Sequence, residues 1–92
     1  MTNIQNVETV LARMAELLRL GARNDWANAL EKFRGELAND PSPTAASIIT
    51  MYGGMGSLND LVLHRNGQVL ITENDEFDAL RSELYQLCHE IS

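Results

Sequence analysis

The sequence predicts an α+β fold: a mainly helical single domain over residues 1–92, in the order α-α-α-β-β-α, with a two-stranded antiparallel hairpin. Three observations predict it. Apolar residues recur at three- and four-residue steps over residues 4–20, 26–37 and 77–91, the spacing of a helix with one buried face. Asn66-Gly67 stands between two aliphatic runs, the strongest short-range hairpin signal. Glycine and proline clusters fall between these segments, and neither an internal repeat nor a long linker divides the chain. Its 92 residues sit just under the usual domain size of about 100–150, and 45% hydrophobic with 22% charged residues are ordinary values for a folded chain.

The first helix is expected from about residue 4 to residue 20, with Ile4, Val7, Val10, Leu11, Met14, Leu17 and Leu18 on its stripe. Thr2 and Gln5 can cap its start reciprocally, and Gly21 is expected to stop it by taking a left-handed conformation. Asn24 is the expected cap of a second helix that buries Trp26, Ala29, Leu30, Phe33 and Leu37. The short connection between these stripes favours an antiparallel helical hairpin. Gly35 costs the second helix about 1 kcal/mol relative to alanine, and close approach of another element would account for it.

Asn39-Asp40-Pro41-Ser42-Pro43 ends that helix, because each proline disfavours a helical residue before it. Ser42 as cap and Pro43 at the first helical position start a third helix, Thr44 to Tyr52, with Ile48, Ile49, Met51 and Tyr52 apolar. The segment Gly53 to Ser57 terminates it. Strands follow at Leu58 to His64 and Gln68 to Thr72, and a two-residue turn pairs Arg65 with Gln68, His64 with Val69, Leu63 with Leu70 and Val62 with Ile71. Both faces of this ribbon carry aliphatic residues, so each is expected to be partly covered. The last helix is expected from Asn74 or Asp75, burying Phe77, Leu80, Leu84, Leu87, Cys88 and Ile91. Asp75, Glu76 and Asp78 lie in its first turn, where the helix dipole favours negative charge.

Charge narrows the function classes. Seven basic and thirteen acidic residues give −6, and the excess is confined to one half of the chain. Residues 1–39 hold five of each sign, whereas residues 40–92 hold Arg65 and Arg81 against eight acids. This argues against non-specific nucleic-acid binding and against attachment to anionic membranes, both of which use clustered positive charge. One cysteine leaves no intramolecular disulfide and fits a reducing compartment. No apolar run approaches the roughly 18 residues of a membrane span, and the first ten residues lack a signal-peptide layout. A cytoplasmic location is expected.

Candidate chemistry is sparse. Gly53-Gly54-Met55-Gly56-Ser57 could surround an anion with backbone N–H groups, but phosphate loops run from a strand into a helix, and the predicted order is the reverse. The reading as a helix stop is favoured. His64, His89, Cys88 and Asp60 are the remaining candidates for metal or nucleophilic chemistry. Cys88 and His89 are adjacent on a helix and diverge by about 100°, which does not suit two ligands of one ion, and Cys88 falls on the buried stripe. Residues 73–78 match a calcium loop in composition only, lacking the glycine at position six and the glutamate at position twelve. The expectation is a protein with no catalytic set, no cofactor and no metal, and not an enzyme.

What remains is an acidic docking surface. Glu73, Asp75, Glu76 and Asp78 would begin it, and Glu83, Glu90 and Asp60 would extend it. Solvation of an ordinary helix start is the plainer reading of the same residues. Tyr85 is the aromatic expected to reach solvent, while Trp26, Phe33 and Tyr52 are expected in the core.

At Tyr52-Gly53-Gly54-Met55-Gly56-Ser57-Leu58-Asn59-Asp60-Leu61 the sequence resembles a family of small, uncharacterised bacterial proteins. The resemblance implies a helical start, a glycine-methionine-glycine segment leading into a hairpin and a closing helix, and it implies no catalytic residue. In size, charge and modularity the chain is also similar to immunity proteins, which neutralise toxins of bacterial competition. That analogy implies a protein partner, a basic toxin domain, bound and occluded. The alternative expectation is a regulatory adaptor or a homodimer with no toxin partner.

Overall fold

The computed structural model describes residues 2–53 and 56–92. Its elements are α1 (Asn3–Leu20), α2 (Asn24–Glu36), α3 (Pro41–Thr50), a 3-10 turn (Leu58–Asp60), β1 (His64–Arg65), β2 (Gln68–Val69) and α4 (Ile71–Ile91). This is the α+β order expected, mainly helical with one antiparallel hairpin.

α1 opens with the reciprocal cap: Gln5 N–H donates to Thr2 Oγ1 at 3.1 Å, and Thr2 N–H donates to Gln5 Oε1 at 3.0 Å. It buries Val7, Val10, Leu11, Met14, Leu17 and Leu18 as its spacing predicts. Its end differs from expectation. Gly21 has φ −84°, and the left-handed residue is Ala22, at φ 60°. Arg23 N–H reaches back to Leu18 O at 2.8 Å, which fixes that conformation. What Gly21 supplies is room: a Cβ there would lie 2.9 Å from Leu63 Cδ2 and 3.1 Å from Leu63 Cβ.

α2 folds back along α1, and Arg19 Nη2 donates to Asn28 Oδ1 at 3.0 Å. Asn24 is its first residue and not its cap, because Arg23 holds the preceding position with no side-chain capping bond. Leu30 and Leu37 are buried, but so is Ala27, while Trp26, Ala29 and Phe33 are half-buried. The stripe is thus turned slightly from the one expected. Among the described residues no atom beyond the neighbouring backbone of α2 lies within 4 Å of a Cβ built on Gly35, so close approach of another element does not explain that glycine.

α3 begins earlier than expected, at Pro41, with Asp40 rather than Ser42 before it. Both prolines fit its first turn, where backbone N–H groups have no helical partner. The expected strand from Leu58 does not form. Asn59 Nδ2 donates to Tyr52 O at 2.9 Å and Asp60 Oδ2 accepts from Gly56 N–H at 2.7 Å, and these local bonds hold Leu58–Asp60 in a 3-10 turn.

The hairpin keeps its register but is shorter. His64 pairs with Val69 and Arg65 with Gln68, and Asn66 (φ 53°) and Gly67 (φ 79°) take the positive φ values expected. Leu63 and Leu70 share one bond, Leu70 N–H to Leu63 O at 3.0 Å. Val62 and Ile71 do not pair, since Ile71 already begins α4. Nor are both faces covered: all four strand residues are exposed. The early start of α4 comes from Asn74, expected at or near the start of this helix. Asn74 Oδ1 accepts from Leu63 N–H at 2.8 Å, and its Nδ2 donates to Leu63 O at 3.0 Å and Leu70 O at 2.8 Å. Phe77, Leu84 and Cys88 are buried from α4, with Leu80, Leu87 and Ile91 packed against the same core.

Candidate functional site

The acidic residues expected to form a docking surface separate into engaged and open ones. Glu76 is clamped by α1: Arg13 Nε donates to its Oε2 at 2.7 Å and Arg13 Nη2 to its Oε1 at 2.9 Å. That bidentate bond is the main reason the Glu76 carboxyl titrates below its usual range and the Arg13 guanidinium above its own. Asp78 pairs with Arg81. Asp60 is spent on Gly56 N–H, and Glu90 accepts from Asn3 Nδ2 at 3.4 Å. Glu73, Asp75 and Glu83 have no hydrogen bond or ion pair to a side chain among the described residues, and Glu73 is half-buried. Glu76, Glu83 and Glu90 follow at seven-residue steps, which lines them up along α4 on the flank nearer α1.

The opposite flank carries the aromatic group. Tyr85 is 41% exposed, as expected, and its ring meets Tyr52 edge-on at 4.9 Å and His89 edge-on at 4.4 Å between centroids. With Asn59, Ser82 and Gln86 the two tyrosines line a groove of about 460 Å³. Tyr52 is half-buried, its hydroxyl donates to Arg81 O at 2.7 Å, and burial pushes its phenol well above the usual range.

Beneath this groove lies Arg81, which sequence reasoning left out of the site. Its Nη1 donates to the carbonyls of Leu58 (2.9 Å), Asn59 (3.0 Å) and Leu61 (3.3 Å), and its guanidinium carbon sits 5.1 Å from the Phe77 ring centroid. Arg81 thus staples the segment between α3 and the hairpin onto α4. The available signal was a single arginine four residues after Phe77, on the border of the apolar stripe. Nothing in the sequence pointed to Arg13 as the partner of Glu76.

The other candidates scatter. Cys88 is a buried thiol pushed up to about 11 by desolvation, while the neighbouring His89 is exposed. His64 is exposed on the hairpin with its Nδ1 3.1 Å from Val62 O. Gly54 and Met55 of the glycine segment lie outside the described residues. Ser57 is buried, and its Oγ has no hydrogen-bond partner among the described residues. Among those residues no three His, Cys, Asp or Glu side chains gather to hold a metal ion, and no helix is long and apolar enough to cross a membrane.

A family model described as a domain of unknown function (DUF6966) matches residues 19–71, from the last turn of α1 to the first residue of α4. No curated protein and no solved structure matches the chain.

Proposed function

The chain belongs to the DUF6966 family, a domain of unknown function, and we propose that it is a small acidic protein-binding domain whose partner docks on the outer face of α4, around Tyr85. The observation that carries this reading is Tyr85 itself: an exposed aromatic braced by two edge-on neighbours beside an open groove. A ring already held in place loses little freedom on binding, and tyrosine is enriched among the residues that dominate interface energy. Asp78 lies two turns before Tyr85 on the same flank of α4, while Glu83 and Glu90 lie on the flank nearer α1, and the net charge of −6 steers a lysine- or arginine-rich surface toward this helix. An arginine of the partner would find a ring face at Tyr85 and polar groups of Asn59, Ser82 and Gln86 along the groove.

The partner we propose is a basic bacterial toxin domain, which the chain would occlude as an immunity protein in the cytoplasm. Size, charge and the separation of the acidic half from the neutral half support this by analogy. The test begins with the partner captured by the full chain from its native cells. Tyr85→Ala is expected to speed dissociation on the order of tenfold or more, as loss of a central interface aromatic does. Glu83→Lys with Glu90→Lys is expected to slow association at low salt, with the difference shrinking as screening shortens to about 10 Å at 0.1 M. Unchanged binding by folded Tyr85→Ala would remove the docking face. A captured partner without toxic activity would leave the binding role standing and replace immunity by an adaptor role.

A further inference from the structure

We propose that Asn66, at the tip of the hairpin, is a site of spontaneous covalent modification, where the side-chain amide is lost through a cyclic imide and aspartate or isoaspartate is left in its place. Three observations select this asparagine. It is the one asparagine of the sequence followed by glycine, so no side chain screens the next backbone nitrogen. Both turn residues are exposed, and beyond its two chain neighbours no described atom lies within 4 Å of a Cβ built on Gly67. Among the described residues the Gly67 N–H donates to no backbone carbonyl, which leaves that nitrogen free to react. Asn39 and Asn59 differ on each count. Each precedes an aspartate whose N–H is engaged, Asp40 with Glu36 O at 3.0 Å and Asp60 with Ser57 O at 3.0 Å.

The Gly67 amide nitrogen, having given its proton to solvent hydroxide, attacks Asn66 Cγ. The new C–N bond closes an imide ring as the Cγ–Nδ2 bond breaks, and the departing amide takes a solvent proton and leaves as ammonia. Water then opens the ring. Addition at Cγ yields aspartate, and addition at the backbone carbonyl carbon yields isoaspartate, whose main chain runs through the former side chain. The ring needs Asn66 Cβ in the plane of the Asn66–Gly67 amide. The two positive φ values, 53° and 79°, mark a mirror-image turn that holds Cβ well out of that plane. Ring closure therefore waits for the turn to open. Two exposed residue pairs resist opening weakly, and the Asn74 bonds to Leu63 and Leu70 at the base set how often it occurs. Isoaspartate adds a methylene to the main chain, which a two-residue turn does not accommodate, so the His64–Val69 and Arg65–Gln68 pairs are lost for good.

Residue-resolved mass spectrometry of the full chain tests the inference, with one sample incubated folded in mildly alkaline buffer and another in the same buffer with urea. The expected result in the folded chain is conversion of the Asn66 amide to a carboxylate ahead of every other asparagine, with isoaspartate among the products. In urea, where no turn protects it, Asn66 should convert faster still. Asn74→Ala is expected to raise the folded-state rate about fivefold or more with an unchanged circular dichroism spectrum, the effect on hairpin opening of losing a bond to a buried N–H. Folded Asn66 converting no faster than Asn39 or Asn59 would overturn the inference. Equal rates with and without urea, or a rate unmoved by Asn74→Ala, would overturn the route through the open hairpin.

Discussion

Ala22 shows how one residue can carry strain so that its neighbour can carry a contact. A left-handed conformation costs a residue with a Cβ roughly 1–2 kcal/mol, and glycine next door would have avoided it. Gly21 cannot be moved to that position, because Leu63 fills the space where its side chain would be. Ala22→Gly is therefore expected to stabilise the protein by about 0.5–1 kcal/mol, the relief of strain being partly offset by the looser unfolded chain. Gly21→Ala is expected to destabilise it by about 1–3 kcal/mol, as overpacking does. Urea unfolding of the two variants checks both signs. A gain from Gly21→Ala would mean that Leu63 yields easily. The sequence showed where α1 stops, but the reason for the glycine was a contact forty-two positions away, which no local rule records.

The hairpin is the element whose extent was read least well. Asn66-Gly67 located its turn and register, since those depend on two positive φ values that few other residue pairs accept. Its length was overread because Leu58 to Leu63 and Leu70 to Thr72 look like strand by composition. The competing interactions come from side chains: Asn59 and Asp60 close a tight turn, and Asn74 satisfies Leu63 from inside α4. With only two paired residues per strand, this latch holds the base of the hairpin. Asn74→Ala leaves the Leu63 N–H without its acceptor and is expected to cost about 1–3 kcal/mol. Gly67→Val at the other end is expected to cost a similar amount, about 1–3 kcal/mol, through backbone strain. Chemical denaturation of each variant gives the comparison, and a stability unmoved by Asn74→Ala would mean that water replaces the side chain at no loss. The docking surface was partly legible in the same way. Composition marked the acids and Tyr85, but which acids stay open depends on Arg13 and Arg81, and helix packing decides where those reach.

For the molecule as a whole, stability should fall in alkali. The unfolded chain releases the Cys88 proton near its ordinary value of 9.0, whereas the folded chain holds it up to about 11. Between those values the folded state binds more protons, so raising the pH drains its stability. The Tyr52 phenol, also raised by burial, acts in the same direction. Cys88→Ala should flatten the decline from pH 9 to about 11 relative to the parent protein, and equal slopes in a denaturant series would show the thiol to be in contact with water. Acid tests a different tie, between ends of the chain 63 positions apart: the carboxylate of Glu76 is stabilised by Arg13, and that contribution is present at neutral pH and lost as the pH falls through its lowered value.

The Arg81 staple also bears on the order in which the chain can be completed during synthesis. The carbonyls of Leu58, Asn59 and Leu61 leave the ribosome before the side chain that holds them, and so does the Tyr52 hydroxyl, whose acceptor is the Arg81 carbonyl. Until α4 emerges, α1 and α2 can pair, but the segment joining α3 to the hairpin has no anchor and α1 lacks the cover of Phe77, Leu84 and Cys88. A nascent chain stalled before residue 81 should therefore expose apolar surface to chaperones, and release from them should coincide with the arrival of the closing helix.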